Sequence, residues 1–352
     1  MAHVDAFRVG LIGFGTAGAA FHAPLIATTP GLRLAAIVTR DPARRAQAER
    51  EHPDALLVDD AGTLLERAAD LDLVVVATPN RTHVPLAESA LAAGLAVVVD
   101  KPLATTAADA RRLVDDAARL GRMLTVYQNR RWDGDFLTMR RLLEAGALGE
   151  PLRLESRFER WRPQPKPGWR EKGDPAEGGG ILFDLGSHLV DQALLLLGPA
   201  VRVYGEVDRR RQGVEVDDDA FVAIEHASGA RSHLHMNMVS AQEGPRFRLL
   251  GSTAAYEKHG LDVQEAALRG GARPGPAWGI EPEAQWGRIG VGDDARPVAT
   301  EPGAYPRFYA GVLDSLRTGA PPPVDPADSI AVLEVIEAAR RSAAEGEVAT
   351  LR

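Results

Sequence analysis

The most constraining feature of this sequence is a glycine fingerprint, GxGxxG, at Gly13–Gly18. It follows the apolar run Phe7–Ile12 directly and opens a helical stretch. In that context the first glycine makes a tight turn, the second lets the backbone approach a pyrophosphate, and the third lets helix and strand pack closely. The helix N-terminus adds free amides and the positive end of its dipole. The fingerprint therefore predicts a dinucleotide site formed by Gly13, Phe14, Gly15, Thr16, Ala17 and Gly18.

Residues 1–127 alternate short apolar runs with helical stretches. Helix signals include the cap Asp41-Pro42 and the pattern Thr106-x-x-Asp109, whose helix ends at Gly121. A βαβαβ order with crossovers of this length predicts an α/β fold with a parallel, doubly wound sheet, that is, an N-terminal Rossmann dinucleotide-binding domain over residues 1–127. The predicted strands are apolar without alternation, as expected where both faces are buried: Phe7–Ile12, Leu32–Thr39, Leu71–Ala77, Leu95–Val99 and Met123–Val126.

The pattern changes after Tyr127, where half-exposed strands replace buried ones. Period-two alternation predicts an antiparallel sheet packed on one face, with a hairpin turn at Ser228-Gly229. The Gly- and Pro-rich stretch Gly270–Gly303 is expected to be an irregular loop. We therefore predict a second, α+β domain over residues 128–352. Its main predicted elements are helices at Asp133–Ala145 and Ile181–Leu197, and strands at Leu152–Trp161, Val201–Val207, Ala220–His226 and Arg231–Val239.

Composition limits the classes of partner. The chain has 352 residues, 41 Lys plus Arg against 49 Asp plus Glu, a formal net charge of −8 and no cysteine. The charge argues against nucleic acid as a partner, and the lack of cysteine excludes disulfides and a cysteine nucleophile. No apolar run approaches the roughly 20 residues of a membrane-spanning helix, so no membrane partner is expected. Met1–Arg8 has no signal-peptide pattern, which favours a cytoplasmic location.

In such a fold, the residues at the end of the second strand determine whether NAD or NADP is bound. Thr39 is followed there by Arg40, whose guanidinium could pair with the 2′-phosphate of NADP through charge-assisted hydrogen bonds. The alternative is that Arg40 is a solvated surface residue in a chain with 37 arginines. Asp41 could instead bind the adenosine ribose hydroxyls of NAD, although it is expected to cap the next helix. The sequence favours NADP as the cofactor, with NAD as the alternative.

Asp100-Lys101-Pro102 follows the fourth predicted strand. Ligands of an open parallel sheet bind beyond the carboxyl ends of its strands, so Lys101 is expected near the cofactor ring. A point charge there can polarise a carbonyl or stabilise an alkoxide. From position alone, a surface lysine before a proline is an equal alternative.

Asp184 and His188 are four residues apart near the start of a predicted helix, which places both side chains on one face. A carboxylate beside a histidine can form a proton-transfer pair and is expected to raise the histidine pKa. Asp191 adds a third polar group to this face, with orientation of the pair as one interpretation. Taken alone, the pair is equally well explained as a structural polar contact.

Two other polar patterns are expected to have no catalytic role. His233 and His235 share one strand face, but no third ligand follows at a convincing spacing, so no metal site is predicted. The acidic run Asp217–Asp219 is expected to lie in a solvated loop.

Together these motifs resemble the Gfo/Idh/MocA oxidoreductase family. The resemblance rests on the fingerprint Gly13–Gly18, Thr78-Pro79-Asn80 with His83, Asp100-Lys101-Pro102, and Asp184-x-x-x-His188, in this order along nearly the whole chain. Other segments are similar to those of the family's NADP-dependent scyllo-inositol dehydrogenases: Phe21–Pro24, Gln128–Asp133, Trp169–Lys172 and Lys258–Glu265.

The resemblance implies roles for named residues. Lys101, Asp184 and His188 fall on the family's catalytic positions, with Lys101 contacting the substrate oxygen and the nicotinamide ribose. The usual Glu-Lys-Pro is Asp-Lys-Pro here, so the carboxylate is shorter. The cofactor is expected to contact Thr39, Arg40, Thr78, Pro79, Asn80, His83, Asp100 and Asn129. The substrate is expected to contact Lys101, Trp169, Arg170, Lys172, Asp184 and His188, with Asn129 as a further candidate.

The family's second domain carries a large, mainly antiparallel open sheet that usually forms an oligomer interface, so a homodimer or homotetramer is expected. The implied activity is reversible oxidation of an inositol-like polyol or sugar to a ketone, with hydride transfer to NAD(P). His188 would take the hydroxyl proton and Lys101 would stabilise the alkoxide, although these two roles could be exchanged. Two alternatives stay open: an NAD-dependent sugar, imine or tetrapyrrole oxidoreductase of the same family, and a non-catalytic dinucleotide-sensing regulator.

Overall fold

The computed structural model describes residues 6–165, 171, 173–174 and 177–351. Its first sheet is parallel and six-stranded, in the order β3-β2-β1-β4-β5-β6. The order reverses between β1 and β4, and this switch point is where the doubly wound fold binds its ligand. The strands are β1 (Phe7–Ile12), β2 (Leu32–Val38), β3 (Leu56–Val58), β4 (Leu73–Val76), β5 (Ala96–Asp100) and β6 (Leu124–Tyr127).

Helices connect these strands, and their ends follow the local signals in the sequence. Asp41 accepts a hydrogen bond from the backbone N–H of Arg44 (2.9 Å), and Thr106 accepts one from that of Asp109 (3.1 Å). Gly121 ends its helix in the left-handed conformation. The predicted caps are therefore confirmed. The helices are α1 (Ala23–Ala27), α2 (Pro42–Glu51), α3 (Ala61–Leu65), α4 (His83–Ala92) and α5 (Ala107–Leu120).

One strand of this sheet is not among those predicted from the sequence. Leu56–Val58 pairs with β2, but three residues are too few to show a periodic pattern. As a result, the strand before Lys101 is the fifth in chain order and not the fourth. The expected position of Lys101 at the carboxyl end of the sheet is unaffected, because β5 lies between β4 and β6.

The second sheet has nine strands in the order β14-β13-β12-β11-β7-β10-β9-β8-β15. All neighbours are antiparallel except β7 and β10, which confirms the mainly antiparallel sheet. Burial alternates strictly along β9, and Gly229 has the positive φ of the predicted hairpin turn. The strands are β7 (Pro151–Glu159), β8 (Ala200–Asp208), β9 (Asp219–His226), β10 (Arg231–Asn237), β11 (Phe247–Gly251), β12 (Ala255–Lys258), β13 (Gly287–Gly290), β14 (Arg296–Val298) and β15 (Ala349–Thr350).

Two predictions about this part of the chain are wrong in detail. Gly270–Gly303 is not irregular throughout, because it contains β13 and β14 at one sheet edge. The helix predicted from Ile181 begins with a π-helical turn, Leu182–Gly186, and becomes α-helical only at Ser187. The helices are α6 (Gly134–Glu144), α7 (Ser187–Leu197), α8 (Val263–Arg269), α9 (Pro306–Thr318) and α10 (Pro326–Glu345).

The last helix, α10, joins the two halves of the molecule. It packs against both α5 and β8. Glu337 accepts a hydrogen bond from the backbone N–H of Ala107 (2.7 Å), and Glu334 pairs with Arg111 (2.6 Å). The division of the chain after Tyr127 stays a prediction, since α10 packs against elements on both sides of it. No helix in the described part of the chain has the length and apolar character needed to span a membrane.

Candidate active site

A cavity of about 740 Å³ extends from the glycine fingerprint to the helix that follows the π-helical turn. Thr16 and Ala17 line one end, and Asp184 and His188 line the other. The ends of β5 and β6 contribute Asp100, Lys101, Tyr127 and Asn129. The carboxyl edge of the parallel sheet thus meets the second half of the chain at one site, as the fold requires.

The fingerprint has the shape of a dinucleotide cradle. Gly13 has φ = +101°, and an added Cβ would collide with the carbonyl oxygen of Ala77. A Cβ on Gly18 would collide with the carbonyl oxygen of Gly13. Gly15 has only the guanidinium of Arg44 nearby, which lies 3.4 Å from where a Cβ would stand. The cradle therefore fits a pyrophosphate, with glycine required at the turn and at the helix–strand contact.

We expect the substitution Gly18→Ala to abolish dinucleotide binding and to destabilise the protein by about 1–3 kcal/mol, because its methyl group has no space. Isothermal titration with NADP+ measures the first effect and thermal unfolding the second. The matched control is Gly275→Ala on the surface, where a Cβ meets nothing within 4 Å and φ, as at Gly18, is not positive. Retained NADP+ affinity in Gly18→Ala would contradict the cradle.

Lys101 and Asp184 form the polar centre of the cavity. The Lys101 ammonium donates to the Asp184 carboxylate (Nζ–Oδ1 3.0 Å) and to its backbone carbonyl (2.6 Å). The two side chains are 14% and 31% exposed, so the pair is held within the protein yet open to the cavity. An ammonium fixed in this way is an electrostatic donor that needs little reorganisation during a reaction.

His188 lies at the same centre, but its electrostatics are opposite to those expected. Burial lowers its pKa well below the ordinary value, and the charges of Lys101, Arg130 and Arg246 lower it further. The predicted rise in pKa is therefore wrong, because Asp184 pairs with Lys101 and the cations dominate. Nδ1 of His188 is buried and has no hydrogen-bond partner among the described residues. At neutral pH His188 is a neutral imidazole, which can accept a proton.

Asp191 has a structural role and does not orient the pair. Its two carboxylate oxygens accept from Arg131 at 2.5 and 2.9 Å. Arg131 also pairs with Asp328 at the start of α10 (2.9 Å). The third polar group predicted on this helix face therefore ties α7 to the segment after β6.

The acidic run at Asp217–Asp219 is not a solvated loop, because its first two carboxylates are buried. Asp217 accepts a hydrogen bond from the backbone N–H of Leu182 (2.8 Å), which begins the π-helical turn that carries Asp184. Asp218 pairs with Arg211 (2.7 Å). These carboxylates fix backbone and side-chain positions at the cavity wall.

The Thr78–His83 segment holds the backbone next to Lys101 in place through hydrogen bonds. Its imidazole, His83, is fully buried, with Nδ1 2.7 Å from the carbonyl oxygen of Pro102 and Nε2 2.9 Å from that of Thr78. Asn80 donates to the carbonyl oxygen of Gly178 (2.9 Å), a glycine whose positive φ allows this close approach. The segment therefore holds the Lys101–Pro102 backbone to the end of β4. The predicted contacts of this segment with the cofactor, through Thr78, Pro79, Asn80 and His83, stay predictions.

His22 faces the Asp-Lys-Pro motif, although no role was predicted for it from the sequence. Its Nδ1 is 2.6 Å from the Tyr309 hydroxyl, and its Nε2 is 3.7 Å from an Asp100 carboxylate oxygen. Burial would raise the pKa of Asp100, but His22 and Lys101 outweigh burial and hold it below the ordinary value. Asp100 is therefore a carboxylate at neutral pH. A histidine within the helix that opens at the fingerprint was the available signal.

The remaining predicted residues lie at the edges of the site. Thr39 is buried and Arg40 is exposed at the end of β2. Trp169, Arg170 and Lys172, predicted to contact substrate, lie outside the described residues. Among the described residues, no group of three His, Asp or Glu side chains could hold a metal ion.

Comparison with known families decides the class. Residues 7–128 match the model for the oxidoreductase family with an NAD-binding Rossmann fold, and residues 136–257 match that for the GFO/IDH/MocA C-terminal domain. The chain belongs to the Gfo/Idh/MocA oxidoreductase family. The resemblance drawn from the sequence is confirmed, and the protein is an NAD(P)-dependent oxidoreductase that acts on a small molecule. This finding favours an enzyme over the non-catalytic regulator.

Several members are similar along their full length. The chain is 42% identical to the uncharacterized oxidoreductase YdgJ of Escherichia coli, covering 96% of this chain and 97% of that one. It is 33% identical to the scyllo-inositol 2-dehydrogenase (NADP(+)) IolW of Bacillus subtilis, covering 97% and 95%. The solved structure of the Bacillus subtilis oxidoreductase yvaA superposes with a TM-score of 0.93 at 32% identity, covering 100% of both chains.

Proposed function

We propose that the protein catalyses reversible hydride transfer between NADP(H) and a cyclic polyol or sugar, interconverting a secondary alcohol and a ketone. The observation that carries the proposal is the Lys101–Asp184 pair, 3.0 Å apart, beside a neutral His188 in a cavity that begins at the glycine fingerprint. This arrangement combines a proton acceptor, an alkoxide stabiliser and a dinucleotide cradle. The similarity to a scyllo-inositol 2-dehydrogenase supports a polyol substrate.

The roles follow from the charges of these side chains. The bound nicotinamide supplies the hydride acceptor at its C4. In the direction of alcohol oxidation, neutral His188 takes the proton of the reacting hydroxyl, and Lys101 stabilises the negative charge that develops on the oxygen. Asp184 holds the Lys101 ammonium in place through its carboxylate and carbonyl oxygens. The lowered pKa of His188 supports assigning proton transfer to His188 and charge stabilisation to Lys101, the two roles that the sequence could not separate.

Two arginines at the end of β2 support NADP as the preferred dinucleotide. Arg40 follows the strand directly and is exposed, so its guanidinium is available for a ligand. Arg44, one helical turn later, reaches over Gly15. Guanidinium groups bind phosphate through two parallel hydrogen bonds, which suits the 2′-phosphate of NADP. The similarity to an NADP(+)-dependent relative is consistent with this preference.

We expect the double substitution Arg40→Ala/Arg44→Ala to weaken NADPH binding about tenfold or more and to change NADH binding by less than about threefold, since only NADPH loses charge-assisted hydrogen bonds. Fluorescence titration of both reduced dinucleotides measures this. Arg50→Ala is the matched control, because Arg50 is exposed on the same helix as Arg44 and donates to the backbone carbonyl of Ala46. Equal losses for both dinucleotides would contradict the NADP preference.

The proposed reaction is tested by incubating the protein with inositols and aldoses in the presence of NADP+ or NAD+. We expect the absorbance of the reduced nicotinamide to appear with at least one polyol or sugar, and faster with NADP+. Activity confined to imines or tetrapyrroles would contradict the proposal. The homodimer or homotetramer and the cytoplasmic location expected from the sequence stay predictions.

A further inference from the structure

We propose that the polyol or sugar substrate carries a negatively charged group, a carboxylate or a phosphate, which binds to the guanidinium groups of Arg160 and Arg162. This inference names the substrate class of the same cavity and therefore rests on the proposed function. It is independent of the cofactor preference, which concerns the opposite end of the site.

Arg160 and Arg162 are placed side by side in the wall of the cavity. The backbone N–H of Arg160 donates to the carbonyl oxygen of Asn237 (3.0 Å), and that of Arg162 donates to the carbonyl oxygen of Met238 (2.9 Å). The parallel β7–β10 pairing ends just before this point, and Trp161, between the two arginines, forms an isolated antiparallel bridge with Val239. Both arginines line the cavity, whereas Trp161 between them is 57% exposed.

These two arginines differ from the other cations that line the cavity. Lys101 pairs with Asp184, Arg211 with Asp218, and Arg269 with Glu265. Arg130 pairs with both Asp133 and Glu265. Neither the Arg160 nor the Arg162 side chain has a hydrogen bond or an ion pair with any residue that the structure describes. Their charge is left for a ligand.

The charge on Arg160 is held in a largely buried position. Burial lowers the pKa of Arg160, and the neighbouring charge of Arg162 lowers it further. Asp184 and Glu265 act in the opposite direction, but each already has a closer cation, Lys101 at 3.0 Å and Arg130 at 2.5 Å. A buried charge without a close counter-ion is unfavourable, so its retention in a binding cavity points to an anionic ligand.

The anion belongs to the substrate and not to the dinucleotide. Arg160 and Arg162 line the cavity together with Asp184 and His188, the side chains proposed to act on the substrate. The glycine cradle and helix N-terminus already provide for the pyrophosphate. During the reaction the anionic group is unchanged: the carbinol C–H bond breaks, its hydride reduces NADP+, and the hydroxyl proton passes to His188 as the C=O bond forms.

The test uses ligands that share the glucose ring and differ in the group at C6, which is neutral in one and anionic in two. Binding of glucose, glucuronate and glucose 6-phosphate to the protein saturated with NADP+ is measured by isothermal titration, and turnover of each is followed by nicotinamide absorbance. We expect glucuronate or glucose 6-phosphate to bind at least about tenfold more tightly than glucose, since each adds charge-assisted hydrogen bonds. Preference between the two anions distinguishes a carboxylate from a phosphate site.

Arg160→Gln should remove this preference while NADP+ affinity and the melting temperature stay within error. Arg140→Gln, on the exposed face of α6, is the matched control and should retain the preference. Equal binding of glucose and its charged analogues to wild type, or a preference that survives in Arg160→Gln/Arg162→Gln, would overturn the inference. Anion-selective binding without turnover of any substrate would instead support the inference and count against the proposed reaction.

Discussion

Replacing Lys101 by alanine is expected to lower kcat by about 100- to 1,000-fold with little change in NADP+ affinity. The Lys101 ammonium pairs with the Asp184 carboxylate at 3.0 Å in the cavity. Its removal takes away the charge that would stabilise the alkoxide, an effect typical of losing one electrostatic donor in an active site. Steady-state kinetics with the best substrate and titration of NADP+ measure the two quantities.

Two further variants separate charge from packing at this position. Lys101→Met keeps the length of the side chain and should be as inactive as Lys101→Ala. Arg119→Ala is the matched surface control, because Arg119 lies on α5 and pairs only with Asp116 in the same helix. If Lys101→Met retained near-normal turnover, an electrostatic role for Lys101 would be refuted.

Replacing His188 by glutamine is expected to lower kcat for alcohol oxidation by about 100-fold or more, the usual effect of removing a general base. In wild type, the acid limb of kcat/KM should lie well below pH 6.5, because burial and nearby cations lower the pKa of His188. His188 is neutral above this pKa and competent to accept a proton; it becomes protonated and inactive as the pH falls through it. A pH profile of kcat/KM measures the limb.

His235→Gln is a control for this variant, since His235 lies on the second sheet outside the cavity. It should leave both kcat and the acid limb unchanged. A wild-type acid limb at or above pH 6.5, or an acid limb that persists unchanged in His188→Gln, would assign the titrating group to another residue.

Local patterns predicted the parts of the fold that depend on short-range chemistry. The glycine fingerprint, the caps at Asp41 and Thr106 and the period-two strands each have a local physical cause, and the structure contains all of them. The strand Leu56–Val58 was missed because three residues give no periodicity. The edge strands β13 and β14 were missed because their glycine and proline content is typical of loops.

The charges of the site were harder to predict, because they depend on which groups meet in space. The sequence paired Asp184 with His188, whereas the fold brings Lys101 to Asp184 across 83 positions of chain. Arg246, distant in sequence, contributes to the lowered pKa of His188. The burial of Asp217 could not be predicted either, because its hydrogen-bond donor is the backbone N–H of Leu182, 35 residues away.

The position of α10 also affects the order in which the protein can fold during its synthesis. The guanidinium of Arg340 in α10 lies 3.3 Å from the carbonyl oxygen of Gly179 and 3.4 Å from the Asp217 carboxylate, which holds the turn carrying Asp184. During synthesis the glycine cradle and the Lys101 strand leave the ribosome more than 200 residues before α10 does. A growing chain can therefore form the parallel sheet early, but the wall that carries Asp184 gains the support of Arg340 only after α10 has been synthesised.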